Sequence, residues 1–173
     1  MNQLKLKFTA TECRGWPRLK FYIDDDLYEE YHFIETLGEV VLPIYLENGP
    51  HELVIELFGK TQENTVFVDG QFLQDQLVTL DEICIDEIPV PNFIKYSGQY
   101  HVGETSRPSA LTWGQNGRWV LQFQTPIITW VVDQKHQRNA YAESGEVLID
   151  AATQEKKRQQ LYWLSELEKS LRK

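Results

Sequence analysis

The chain has 173 residues, of which 42% are hydrophobic and 12% aromatic, and a formal charge of −9 from 17 Lys and Arg against 26 Asp and Glu. Such a length holds one domain with a core of its own, and such a composition excludes disorder as a description of the whole. The acidic balance repels phosphate backbones, so no nucleic-acid partner is expected.

Near the N-terminus Leu4, Leu6 and Phe8 alternate with Lys5 and Lys7, the period-2 pattern of a half-buried strand. This is not the continuous apolar run of a signal peptide, and no later stretch reaches the length of a membrane span. Expected therefore is a protein made in a cytoplasm, without signal peptide or membrane insertion. Leu19, Phe21 and Ile23 form a second alternating strand before the acidic tip Asp24-Asp25-Asp26. That tip lacks the spacing of a calcium loop and reads as a solvated turn. Residues 40–46 are a third strand, with Pro43 placing it at an edge or bulge. Asn48-Gly49-Pro50 is expected to join it in a hairpin to the strand of Leu53, Ile55 and Leu57.

Asp69-Gly70 between two β-prone runs predicts a short protruding hairpin, because this residue pair tolerates the positive φ of a type I′ turn. In residues 77–88 the apolar parity switches near Asp81, which predicts a bulge or bend there. Further strands are expected at 119–123 and 127–132, and a linker or irregular extension at 134–150. The predicted fold is all-β: an antiparallel, jelly-roll-like sandwich over residues 1–133 followed by a C-terminal α-helix at 151–173. In that last segment Leu161, Leu164, Leu167 and Leu171 share an arc of roughly 120°, with Trp163 at its border, so these residues are candidates for a protein interface. Packing of the same stripe back on the sheet explains it equally. The segment carries +3, leaving −12 on the rest.

No catalytic motif stands out, and no enzyme is expected. Gly59-Lys60-Thr61 resembles the tail of a phosphate loop, but the earlier glycine that loop requires is Val54. The four His are scattered, and Cys13 and Cys84 lack zinc or disulfide spacing. Asp69 and Asp75, from loops around one hairpin, are the candidate metal ligands, for calcium if any cofactor is held. Tyr100, Trp113 and Trp119 are the candidate carbohydrate-binding residues, since aromatic faces stack on sugar rings.

Residues 51–61, 66–70, 75–80 and 83–88, with 114–126 and Trp130, resemble small β-sandwich proteins encoded by tailed phages of cyanobacteria and marine bacteria. In those a strand opening His-x-Leu leads to a Lys-Thr turn, an acidic hairpin and an Ile-x-Ile-Asp strand. The resemblance implies a nonenzymatic virion component of tail or baseplate, located in the particle and bound to other virion proteins or to itself through the terminal helix. More distantly, the order strand, acidic loop, strand is similar to calcium-dependent xylan-binding modules with a jelly-roll fold. That similarity implies the alternative function, a carbohydrate-binding module for attachment to a surface glycan.

Overall fold

The computed structural model describes residues 2–69, 71–108 and 110–143. In chain order the strands are β1 (Asn2–Thr11), β2 (Arg18–Ile23), β3 (Asp26–His32), β4 (Leu37–Ile44), β5 (Gly49–Phe58), β6 (Thr65–Val68), β7 (Gln71–Asp75), β8 (Leu77–Ile85), β9 (Ile88–Pro89), β10 (Gln99–Val102), β11 (Thr105–Pro108), β12 (Thr112–Trp113) and β13 (Gly117–Thr125). A short helix α1 (Asn92–Lys95) precedes β10, and α2 (Ile127–Glu143) follows β13. One sheet has the order β12-β8-β1-β4, with β9 beside β8, and the other β11-β10-β13-β5-β2-β3. Every strand pair is antiparallel. The architecture is the antiparallel β-sandwich that the strand periodicity implies, with the helix α2 at its C-terminal side.

Alternation dictates the core. Leu4, Leu6 and Phe8 of β1 point inward to meet Leu19, Phe21 and Ile23 of β2 from the opposite sheet, and the Phe8 and Phe21 rings lie 5.9 Å apart. The bulge falls where the parity switches: β1 and β8 pair Lys7 with Glu82 but Phe8 with Leu80, leaving Asp81 as the extra residue. That extra residue keeps Val78 and Leu80 on the same buried face as Ile83 and Ile85. The Asp81 carbonyl accepts a hydrogen bond from the buried Lys95 ammonium. Burial pulls the pKa of Lys95 below the ordinary lysine value. Pro43 is exposed on β4, an edge strand, where its missing N–H costs no ladder bond. Asp69 adopts φ 51° at the tip of the β6–β7 hairpin, which forms a two-stranded sheet of its own.

Three expectations are corrected. β4 and β5 do not form a hairpin, because Asn48-Gly49-Pro50 carries the chain from one sheet to the other: β4 pairs with β1, and β5 with β2 and β13. Residues 127–132 are helix instead of strand. Ile127 and Trp130 are buried and Val131 half-buried, whereas Ile128 and Val132 face solvent, so the apolar residues follow a helical stripe that a short β-branched run conceals. Residues 134–143 continue α2 where a linker was expected, and the polarity of 134–140 reflects a solvated helix surface. The segment 151–173 and its candidate interface residues Leu161, Trp163, Leu164, Leu167 and Leu171 lie outside the described residues. Among the described residues no helix is long and apolar enough to cross a membrane.

Candidate functional site

At one end of the sandwich β5 is followed by Gly59, whose φ of 73° turns the chain toward the loop between β12 and β13. Lys60 follows. Its backbone is gripped by one side chain: Lys60 N–H donates to Asn116 Oδ1 at 2.9 Å, and Asn116 Nδ2 donates to the Lys60 carbonyl at 2.8 Å. The Asn116 amide thus acts as a strand partner and docks its loop on the β5 turn.

The Lys60 side chain turns inward and is only 7% exposed. Its ammonium donates to Asp75 Oδ1 at 2.5 Å, to the Gln76 carbonyl at 2.9 Å and to the Gly114 carbonyl at 2.5 Å. Three donors meet three acceptors, so the ammonium is fully satisfied. Thr65 Oγ1 donates to the same Asp75 oxygen at 2.6 Å. Gly114 lets the two segments approach closely: a Cβ there would lie 2.7 Å from Leu77 Cδ2 and 3.1 Å from Asp75 Oδ2, so a side chain displaces the end of Leu77. The cage therefore ties the end of β5, the β7–β8 junction and the loop after β12.

Beside it opens a cleft of about 460 Å³. Lys60 and Asp75 line it together with Thr61, Gln62, Arg107 and Gln115, all four exposed. Hydroxyl, carboxamide and guanidinium groups supply donors and acceptors to a polar ligand, and no aromatic ring lines the cleft. Asp75 is the one carboxylate of that lining, so the carboxylate pair of glycoside hydrolysis is not built there.

The residues proposed from the sequence as a sugar platform belong to the core. Tyr100, Trp113 and Trp119 are 3%, 1% and 0% exposed. The Tyr100 and Trp113 rings stack at 5.4 Å with 6° between their planes, and Trp113 lies 6.1 Å from Trp119. Strand parity explains this correction: Trp119 faces inward with Leu121 and Phe123 on β13, and Tyr100 is its register partner on β10. Their part is support. Tyr100 donates its hydroxyl to the Gln115 carbonyl at 2.5 Å, and Trp113 Nε1 donates to the Ala110 carbonyl at 2.7 Å. Burial pushes the pKa of the Tyr100 hydroxyl well above the ordinary tyrosine value, which keeps it a donor.

Asp69 and Asp75 are likewise not brought together. Asp69 sits at the tip of the β6–β7 hairpin and Asp75 at its foot, paired in register with Thr65. Among the described residues no group of three or more His, Cys, Asp or Glu converges. Calcium takes about six to eight oxygens. Asp75 is neutralised by Lys60, and Asp24 and Asp86 bond to neighbouring side chains and backbone N–H groups, so these carboxylates do not fit a resident calcium.

Sequence reasoning set Lys60 aside with the phosphate loop and passed over Arg107, Gln115 and Asn116. One signal was present: Lys60 and Asp75 are opposite charges flanking the Asp-Gly hairpin.

At the other end of β5, His51 is buried with its Nδ1 at 2.6 Å from Asp24 Oδ2 and its Nε2 at 2.8 Å from the Glu47 carbonyl. Burial pulls its pKa down, but the hydrogen bonds to Asp24 and Glu47 outweigh this and hold it above the ordinary histidine value. Both partners are acceptors, so the site favours the ring with both nitrogens protonated. A hollow of about 300 Å³ lies at this end, lined by Gln122, Phe123, Gln124, Trp130 and Gln134 among others.

No family model matches the chain, and no curated protein matches it. Among solved structures it is similar to the selenomethionine form of vCBM60, described with a circular permutation that links two families of calcium-dependent carbohydrate binding modules. The TM-score is 0.51 at 8% identity, over 70% of this chain and 90% of that one. A structure of vCBM60 in complex with galactobiose gives a TM-score of 0.49 at 7% identity, over 69% of this chain and 96% of that one. The likeness is one of fold, an antiparallel β-sandwich. Nothing in these comparisons points to a phage particle.

Proposed function

We propose that the chain is a non-catalytic carbohydrate-binding module that holds an oligosaccharide by hydrogen bonds in the cleft beside Lys60. The observation that carries this reading is the cleft itself, with Thr61, Gln62 and Gln115 exposed on connecting segments and Arg107 on the edge strand β11, around a base pinned by the Lys60 cage and by Tyr100. Amide and guanidinium groups supply the donors and acceptors that sugar hydroxyls pair with, and the pinned backbone beneath them lowers the entropy cost of binding. The fold shared with a calcium-dependent carbohydrate-binding module supports the same class of ligand.

Calorimetry with a panel of oligosaccharides, galactobiose among them, tests the reading. Binding by the wild-type chain is expected with at least one member at about 1 mM or tighter, weakened about five-fold or more by Arg107→Ala and by Gln115→Ala. No binding of any member at about 10 mM, or binding unchanged in both variants, overturns it.

A further inference from the structure

The Lys60 cage has the ligand chemistry of a cation site. Its acceptors are all oxygen, one carboxylate and two backbone carbonyls, contributed by segments at 75–76 and 114 that the topology brings together. Hard cations such as calcium choose carboxylate and backbone carbonyl oxygens of this kind. Here the occupant is an ammonium on a tether from the end of β5. The charge is matched as well, since the single carboxylate, Asp75, balances a single positive charge where a divalent ion would leave an excess. A buried carbonyl without a donor is costly, so the cage requires an occupant.

We infer that the Lys60 ammonium is a built-in cation that fills this oxygen cage in place of a metal ion and fixes the three segments around it. The inference does not depend on glycan binding, and its readout is stability.

Thermal unfolding of the full chain tests it, in EDTA and with calcium or n-propylammonium at about 10 mM, an excess that stabilises any folded state binding either ion. The wild-type Tm is expected to be the same in all three. Lys60→Ala, which empties the cage, is expected to lower Tm by about 6–15 °C in EDTA. At least half of that loss is expected back with calcium or with n-propylammonium, which replaces the deleted stem and ammonium. The double variant Lys60→Ala, Asp75→Asn is expected to lose this recovery. If Lys60→Ala does not fold in EDTA, refolding yield with and without each cation gives the same comparison. A wild-type Tm raised by calcium, a Lys60→Ala Tm equal to wild type, or a loss that neither cation restores overturns the inference.

Discussion

Nine residue steps along β5 and its turn separate His51 from Lys60, about 30 Å at roughly 3.3 Å per residue. At each end a buried cationic side chain meets one Asp carboxylate and backbone carbonyl oxygen, and so staples loops from different parts of the chain. The His51 end joins the β2–β3 turn to the β4–β5 connection, with Asp24 also accepting from Glu52 N–H at 2.8 Å. The Lys60 end joins three segments and carries the larger cleft. The difference lies in the occupant: an imidazole, whose charge changes near neutral pH, at one end, and an ammonium held by three oxygen acceptors at the other. The His51 end is titratable, and the Lys60 end is fixed in place by its three acceptors.

The strongest way to break this comparison is at the fixed end. Lys60→Met keeps the apolar stem but leaves Asp75 and two carbonyls without their donor, and a loss of about 3–5 kcal/mol is expected in denaturant unfolding. His51→Leu should cost less, about 1–3 kcal/mol, because Asp24 is already exposed and retains its bond to Glu52.

The pH dependence sharpens the contrast. The folded-state pKa of His51 is raised, so its stabilisation is fully present below the ordinary histidine value near about 6.5 and is lost as pH rises through the higher folded value. Wild-type stability should therefore fall as pH rises above about 6.5, by an increment that His51→Leu removes and Lys60→Met keeps. Asp24→Asn should shrink that increment, since Asn tolerates the left-handed φ of 51° at this position but lacks the charge. The smallest effect on stability belongs to the cleft surface: Arg107→Ala should change it by no more than about 0.5 kcal/mol while weakening oligosaccharide binding.

Much of the fold was legible because strand parity is a local signal. The alternation of Leu4, Leu6 and Phe8, the parity switch at Asp81, the Asp69-Gly70 turn and the edge placement of Pro43 each follow from a few neighbouring residues. Which sheet a strand joins is not local, and the Asn48-Gly49-Pro50 segment has the same composition whether it closes a hairpin or crosses between sheets. The run from Ile127 to Val132 satisfies strand and helix alike until the buried positions, Ile127 and Trp130, are known.

The candidate site was less legible for a related reason. Tyr100, Trp113 and Trp119 carry the residue chemistry of a sugar platform, yet that chemistry serves equally as core, and only the packing of β10, β12 and β13 decides. Lys60, Asp75 and Gly114 are far apart in sequence and show no spacing that marks a cage.

The most direct test of a glycan site at the Lys60 end is an amide chemical-shift titration of the isotope-labelled chain with the oligosaccharide panel. Shifts concentrated at Thr61, Gln62, Arg107, Gln115 and Asn116, with His51, Gln122 and Gln124 unmoved, are the expected result. Shifts confined to the His51 end, or none with any oligosaccharide, would contradict it.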